Sequence, residues 1–215
     1  MKKILLLGDS IRLGYERYVK EMFDGHAKVY SPGDVNGGMA QFIQRWLNEW
    51  KRRGNFPDDM DLVHWNAGLW DVLRICGDEP LSSPAFYAET LERVHKRIKL
   101  LFPKAKIVFA LSTWVQEDLY QGEYQRYNKD IELFNEIAIK TLGPLGEEFD
   151  DLYLVTKNAP KECFSDMTHF NTVEGIKLVG NKVVDCLCLH VGIDRNLLAE
   201  KEARLFEIPE SILGC

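Results

Sequence analysis

Apolar and polar residues occur in blocks along this chain, and the first block has the sharpest boundaries. Four consecutive aliphatic residues, Ile4 to Leu7, are followed at once by Gly8, Asp9 and Ser10. A short apolar run of this kind predicts a strand that is buried on both faces, and a glycine allows the backbone to turn sharply where the strand ends. The next apolar residues recur with helical spacing. The pattern therefore predicts a strand, a tight turn and a helix that begins almost at Ser10.

The same order of strand and helix is repeated four more times. Strands are predicted over residues 27–30, 61–66, 106–111 and 152–155, and each is followed by a segment with helical periodicity. The clearest helical stripe follows the second strand, and we expect its six apolar residues to be buried in the core: Met39, Phe42, Ile43, Trp46, Leu47 and Trp50. Alternating strands and helices predict an α/β fold with a parallel sheet, helices on both faces and right-handed crossovers.

The chain is expected to form one domain over residues 1–192. No repeat, low-complexity tract or linker rich in Pro, Gly and Ser divides this region. Residues 193–215 are charged and only weakly periodic. We expect them to form a tail or short helix that packs on the domain or on the partner subunit of a homo-oligomer.

The charge balance excludes two classes of partner. There are 27 Lys and Arg residues against 33 Asp and Glu residues, which gives a net charge of −6, and no basic block could follow a phosphate backbone. No apolar segment approaches the roughly 20 residues that a membrane span needs. We therefore expect neither nucleic acid nor a membrane as partner.

Residues with catalytic chemistry lie near both ends of the chain. Ser10 follows the first strand, and Asp166 and His169 precede the last predicted helix. Acyl transfer needs these three residue types, because an imidazole takes the proton of the serine hydroxyl and a carboxylate orients that imidazole. An irregular turn can bring the carboxylate of Asp-x-x-His to the ring of its own histidine. On a regular helix the same spacing would give only a surface pair.

Two motifs resemble those of a known superfamily. The Gly-Asp-Ser sequence at residues 8–10 and the Asp-Met-Thr-His sequence at 166–169, with the α/β pattern between them, are similar to the SGNH (GDSL-type) hydrolases over about residues 4–190. The resemblance implies a flavodoxin-like three-layer α/β/α sandwich whose five parallel strands lie in the order 2-1-3-4-5. It also implies a serine ester hydrolase that works without a cofactor.

The same resemblance assigns roles to individual residues. Ser10 is expected to be the nucleophile, His169 the base and Asp166 the residue that orients the histidine. The oxyanion hole is expected to include the backbone of Ser10, a glycine of the second motif block, for which we choose Gly38, and Asn66.

The glycine and asparagine assignments leave alternatives open. Gly37 and Gly33 lie in the same loop as Gly38, and Asn36 could donate its side-chain amide to the oxyanion instead. Many members of the superfamily have Gly-x-Asn-Asp in the third block, whereas this chain keeps only Asn66 of that motif.

The substrate is expected to be a small ester with a polar alcohol. Trp70 and Trp114 follow strands on the same side as Ser10, and indoles can stack on a sugar ring, so we assign them to substrate binding together with Arg12 and Asn36. Trp65 is expected to pack inward. The segments after the third and fourth strands are rich in charged and amide residues, which favours a short acyl group such as acetyl on a polar or carbohydrate alcohol.

Other activities remain as alternatives from the sequence. The same site could support a lipase-like or thioesterase activity. A non-catalytic receiver or binding module would use Asp9, Asp71 and Lys157 instead, although we expect Asp71 merely to cap structure.

Cysteine and histidine usage indicates the compartment and argues against a metal. The five cysteines are odd in number and lack Cys-x-x-Cys spacing, which favours free thiols. The five histidines show no metal-ligand spacing, so neither a metal nor another cofactor is expected. We expect a cytoplasmic protein whose mature sequence starts at Met1, because cleavage beyond Ser10 would remove the candidate nucleophile.

Overall fold

A computed structural model describes residues 1–207 of the chain. It contains seven strands in that range: β1 (Lys2–Leu7), β2 (Ala27–Tyr30), β3 (Leu62–Trp65), β4 (Arg74–Ile75), β5 (Lys106–Ala110), β6 (Tyr124–Gln125) and β7 (Glu148–Asp150). Five of them form a parallel sheet in the order β2-β1-β3-β5-β7, and β4 pairs with β6 in a separate antiparallel ladder. The sheet confirms the predicted order 2-1-3-4-5.

Seven α-helices in the described range cover the two faces of this sheet: α1 (Ser10–Phe23), α2 (Ala40–Arg53), α3 (Pro84–Leu101), α4 (Asn128–Leu142), α5 (Leu152–Lys157), α6 (Val173–Val191) and α7 (Ala199–Glu207). One layer contains α2, α3 and α4, which pack side by side, and the other contains α1 and α6. The arrangement confirms the predicted three-layer sandwich. No helix within residues 1–207 is both long and apolar enough to cross a bilayer.

The central strands are covered on both faces. Ile4 to Leu7 of β1 and all four residues of β3 are buried. Strand β1 lies between β2 and β3, with Leu7 paired to Trp65. The carboxyl ends of these parallel strands therefore meet at one edge of the sheet, which is where α/β proteins place their functional groups.

The predicted fifth strand was wrong in position. Residues 152–155 are helical, and the strand is instead Glu148–Asp150, which pairs with the end of β5. The side chain of Asp151 accepts a hydrogen bond from Leu154 N at 2.9 Å and so caps α5. The cap starts a helix where the apolar residues alone indicated a strand.

The helical stripe on α2 is only partly core. Ile43, Leu47 and Trp50 are buried as expected, but Phe42 remains 43% exposed and Trp46 is half-buried. The expectation that all six residues are buried was therefore wrong for Phe42, and Met39 and Trp46 are buried only in part. The exposed ring of Phe42 lines a surface cavity together with Trp70.

The segment after residue 192 packs on the body of the domain over its described part. Leu198 is fully buried, and Lys201 Nζ donates to the carbonyl of Asp24 at 2.8 Å. Asn181 on α6 donates to Glu202 at 2.7 Å. The last eight residues of the predicted tail, 208–215, lie outside the described range.

Candidate active site

Three predicted residues form one hydrogen-bonded chain. The Oγ of Ser10 lies 2.8 Å from Nε2 of His169, and Nδ1 of the same imidazole lies 2.7 Å from Oδ2 of Asp166. The side chains of His169 and Asp166 are 28% and 44% exposed, so the chain is open to solvent on one side. This is the arrangement in which an imidazole can accept a serine proton while a carboxylate stabilises the resulting charge.

An irregular turn holds the acid and the base together. Oδ1 of Asp166 accepts hydrogen bonds from the backbone N–H groups of Thr168, at 2.6 Å, and His169, at 2.8 Å. Ser165 N closes the turn on the carbonyl of His169 at 2.8 Å. Burial acts to raise the pKa of Asp166, but the hydrogen bonds from the imidazole and the two N–H groups outweigh it and lower the pKa. The lowered pKa favours the ionised carboxylate beside the imidazole.

The backbone before Ser10 requires a glycine. Gly8 has φ of +155°, and a Cβ at this position would lie 1.8 Å from Oδ1 of Asn66. The next residue, Asp9, caps α1 by accepting a hydrogen bond from Ile11 N at 2.9 Å. Ser10 is the first residue of α1, and its N–H has no hydrogen-bond partner among residues 1–207. The helix terminus therefore offers an open donor beside the serine hydroxyl.

Asn66 lies next to this turn and is held by Asp9. Its Nδ2 donates to Oδ1 of Asp9 at 2.9 Å, and the residue is only 4% exposed. Burial raises the pKa of Asp9, although the hydrogen bonds from Asn66 and Ile11 N oppose the increase. One amide hydrogen of Asn66 is thus fixed by the acid of the Gly-Asp-Ser motif, and the second remains to be used.

The glycine loop after β2 has fewer open donors than expected. The N–H of Gly38 donates to Oδ1 of Asn36 at 2.8 Å, that of Gly37 to the carbonyl of Gly8 at 2.8 Å, and that of Gly33 to Oγ of Ser31 at 3.2 Å. All three candidate glycines are therefore engaged within the structure. The side-chain Nδ2 of Asn36, by contrast, has no partner in the described part of the chain.

Comparisons with known proteins agree on the fold. Neither the protein-family models nor the sequences of curated proteins give a match. Among solved structures, the lipase/acylhydrolase of Enterococcus faecalis is similar with a TM-score of 0.66 and 20% identity, over 86% of this chain and 94% of that one. A GDSL-like lipase from Bacteroides thetaiotaomicron is similar with a TM-score of 0.65 and 16% identity, over 86% of this chain and 87% of that one. This chain has the SGNH (GDSL-type) hydrolase fold.

A third structure with the SGNH fold has a narrower description. It is an acetyl xylan esterase, similar with a TM-score of 0.65 and 16% identity, over 86% of this chain and 98% of that one. At such low identities the likeness shows a shared fold only.

Arg12 is not available to a substrate in this SGNH fold. Its side chain is fully buried, forms an ion pair with Glu16 and donates to the backbone carbonyls of Gly33, at 2.8 Å, and Val35. The expectation that Arg12 binds substrate was therefore wrong. Its position two residues after the nucleophile indicated exposure, but the loop after β2 folds back over it, and Arg12 holds that loop in place.

Two of the tryptophans are structural. Trp65 is fully buried, as expected, and donates from Nε1 to Glu147 at 2.9 Å. Trp114 is half-buried against Phe164, with ring centroids 6.0 Å apart, and it does not line the cleft that contains Ser10. Its assignment to substrate binding was therefore wrong, because Trp114 packs on α5, where its backbone N–H donates to Oγ1 of Thr156 at 2.9 Å.

Trp70 does line the cleft at Ser10. The cleft measures about 530 Å³, and its walls are formed by Ser10, Leu69, Trp70, Leu73, Tyr120, Gln121, Tyr124, Arg126, Asp166, Met167, Thr168 and His169. Tyr120, Tyr124 and Arg126 were missed by sequence reasoning, because they come from an irregular segment around β6 that contains no recognisable motif. Asp71 lies behind this wall and, as expected, caps α2 by accepting from Ala40 N at 3.1 Å.

A second cavity adjoins the first. It measures about 660 Å³, contains Met39, Phe42 and Arg45 of the α2 region together with Asn36 and Gly38, and shares Trp70 with the cleft at Ser10. Asn36 therefore lines the neighbouring cavity and not the cleft at Ser10, and its assignment to substrate binding stays a prediction.

Other histidine and carboxylate pairs are present but do not form a second site. His64 and Asp150 are fully buried, 3.0 Å apart, and Lys182 lies 3.0 Å from the other oxygen of Asp150. Cys186 completes a cluster of potential metal ligands there. The ammonium of Lys182 already supplies a positive charge beside Asp150, so we interpret the cluster as a charge network.

Proposed function

We propose that this protein is a serine ester hydrolase that works through an acyl-enzyme. The observation on which the proposal rests is the continuous chain from Asp166 through His169 to Ser10, with contacts of 2.7 and 2.8 Å, at the wall of an open cleft. The receiver alternative is disfavoured, because Asp71 is used as a helix cap and Lys157 pairs with Glu132 at 2.9 Å.

The geometry supports a two-step reaction. Nε2 of His169 takes the proton of Ser10 as Oγ attacks the ester carbonyl, and the tetrahedral intermediate carries the negative charge on the former carbonyl oxygen. His169 then gives its proton to the leaving alcohol as the acyl-enzyme forms. A water molecule repeats the sequence, losing its proton to His169, and returns the acid and free Ser10.

The negative oxygen needs donors that are already in position. The N–H of Ser10 is one, because it lies at the amino terminus of α1, where the helix dipole also favours negative charge. The second is the remaining amide hydrogen of Asn66, whose orientation is fixed by Asp9. The third comes from the loop after β2, either from Gly38 if it leaves its bond to Asn36, or from Nδ2 of Asn36 itself.

The cleft walls favour a short acyl group on a polar alcohol. Aromatic rings with polar edges and the polar side chains of Gln121 and Arg126 line the 530 Å³ cleft, beside the apolar Leu69, Leu73 and Met167. Such walls can stack on and hydrogen-bond to a polar alcohol, for example a sugar. The acetyl xylan esterase named above has the same fold, which agrees with this proposal.

A lipase-like activity is the second candidate, and one observation favours it. Met39, Phe42 and Trp70 make the neighbouring 660 Å³ cavity largely apolar, so a longer acyl chain could extend into it from Ser10. The two candidates differ in which part of the ester the protein contacts most.

A chain-length series decides between the candidates. We expect kcat/KM on 4-nitrophenyl esters to be highest for acetate and to fall with chain length, with acetate released from acetylated sugars. Ser10→Ala and His169→Ala are each expected to reduce turnover to background. A preference for chains of eight carbons or more, lost in Phe42→Ala, would favour the lipase-like activity, and turnover that survives Ser10→Ala would contradict both.

A further inference from the structure

The cleft beside Ser10 contains a guanidinium that the proposed reaction does not use. Arg126 follows β6 and is the one Arg or Lys among the described residues of the cleft wall. Its Nε donates to the carbonyl of Leu69 at 2.6 Å and its Nη1 to the hydroxyl of Tyr120 at 3.2 Å. The guanidinium lies 5.7 Å from the ring centroid of Trp70 and 5.9 Å from that of Tyr120. Four contacts therefore fix it in place.

The charge of Arg126 has no carboxylate partner among the described side chains, which are those of residues 1–205. Its Nη2 has no hydrogen-bond partner among them either. Arg74 on the neighbouring strand β4, by contrast, is paired with Asp130 at 2.8 Å. A guanidinium does not lose its proton in proteins, so the cleft keeps both a positive charge and open N–H donors.

We propose that Arg126 binds a carboxylate group of the ester substrate, which would make the natural substrate of this site an anionic ester. The inference rests on the proposed function, because the ester bond must lie at Ser10 for the carboxylate to reach Arg126 across the same cleft. Charge-assisted hydrogen bonds from a guanidinium to a carboxylate are stronger than neutral ones. Because two hydrogen bonds and the aromatic rings of Trp70 and Tyr120 already hold the Arg126 side chain, it loses little conformational entropy on binding.

A positioning role is the alternative that the test must separate. The Tyr120 hydroxyl, which accepts from Arg126, also lies 2.5 Å from Oγ1 of Thr168 in the turn that presents His169. If Arg126 served only to hold this turn, its loss would slow the hydrolysis of every ester equally. A substrate-binding role changes the preference between charged and neutral esters.

Binding is measured first, on the Ser10→Ala protein, by titration calorimetry. Each of two ligand pairs consists of a carboxylate and the corresponding amide. In the first pair, 4-acetoxybenzoate and 4-acetoxybenzamide, the charge is on the alcohol side of the ester. In the second pair, the phenyl monoester of adipic acid and the phenyl ester of adipic acid monoamide, the charge is on the acyl side. We expect one carboxylate to bind about tenfold more tightly than its amide, or about 1.4 kcal/mol, and the pair that shows the difference identifies the side. Equal affinities within both pairs would overturn the inference, whether or not the wild-type protein hydrolyses esters.

Kinetics then test the residue. For the preferred pair, the ratio of kcat/KM for carboxylate over amide is expected to fall about tenfold in Arg126→Gln. Lys129→Gln is the matched control, because it removes the same charge from an exposed side chain that stacks on Tyr127 outside the cleft, and its ratio should not change. Tyr120→Phe cuts the link to Thr168 and is expected to slow both esters alike.

The outcomes are distinct from those of the proposed function. An Arg126→Gln protein that loses activity on both esters in equal proportion, as Tyr120→Phe does, would make Arg126 a positioning residue and overturn the inference. A wild-type protein that hydrolyses none of the esters would contradict the proposed function, and the calorimetry on Ser10→Ala would still decide whether the cleft selects a carboxylate.

Discussion

The substitution Asp166→Asn tests how much the orientation of His169 contributes to activity, because it leaves the other groups of the site in place. In the wild-type turn, Oδ1 of Asp166 accepts from the N–H groups of Thr168 and His169, while Oδ2 faces Nδ1 of the imidazole at 2.7 Å. Asparagine can keep the two backbone bonds with its carbonyl oxygen. Its NH₂ group then faces Nδ1, and two donors cannot share a hydrogen bond, so the imidazole must place its proton on Nε2 instead.

That change of tautomer removes the base. With a proton on Nε2, His169 cannot accept the proton of Ser10 across their 2.8 Å contact, and no carboxylate stabilises the imidazolium. The equivalent loss in serine hydrolases lowers kcat on the order of 10⁴-fold, which corresponds to about 5.5 kcal/mol in the activation barrier. Stability should change much less, because the two backbone hydrogen bonds of the turn are kept.

The assay is kcat on 4-nitrophenyl acetate at neutral pH, together with the thermal midpoint of unfolding. Asp151→Asn is the matched control, because Asp151 also accepts a backbone N–H, at 2.9 Å from Leu154, but lies outside the cleft. We expect the control to keep wild-type kcat. A loss below about tenfold in Asp166→Asn would refute the reasoning and mean that another group orients His169.

Three further predictions concern the neighbours of this chain. Asn66→Ala should lower kcat by about 10²–10³ with little change in KM, because an oxyanion donor acts in the transition state; a change confined to KM would assign Asn66 to substrate binding. Activity should fall as the pH is lowered, since a protonated imidazole at His169 cannot accept the Ser10 proton while Asp166 stays ionised; a rate that is unchanged down to pH 4 would exclude a histidine base. Burial raises the pKa of Asp71 from 3.8 to about 6, so the folded state binds the extra proton and the contribution of this group to stability falls as pH rises from 4 to 7. Relative to Asp71→Asn, the wild-type protein should therefore lose about 3 kcal/mol of stability over this range, as measured by urea unfolding, and parallel curves for the two proteins would contradict it.

The sequence predicted the three residues of the hydrogen-bonded chain, Ser10, His169 and Asp166, because the position of each is fixed by local structure. Ser10 follows an apolar strand and a glycine that the turn requires, and Asp166 and His169 are joined by a turn of four residues. The parallel sheet followed from the alternation of strands and helices, whereas its strand order was implied by the resemblance to the SGNH hydrolases. Local patterns of this kind do not depend on which distant segments pack together.

Apart from Trp70 and the three residues of the hydrogen-bonded chain, the residues of the cleft wall could not be predicted, because they are brought together by tertiary packing. Arg12 has the local sequence of an exposed first-turn residue, but the loop after β2 covers it. Phe42 continues a buried stripe, yet the cavity shared with Trp70 leaves it open. Arg126 reaches the cleft only because the irregular segment around β6 folds over Leu69. In each case the deciding contact comes from a residue more than 20 positions away.

Labelling with a fluorophosphonate probe tests the central claim most directly. The probe reacts with a serine hydroxyl only when a neighbouring base activates it, and it requires no knowledge of the natural ester. Intact-mass analysis of the wild-type protein is expected to show one adduct, mapped by peptide analysis to Ser10, which is lost in Ser10→Ala and greatly slowed in His169→Ala. An adduct at any other residue, or no adduct on the folded wild-type protein, would contradict the account.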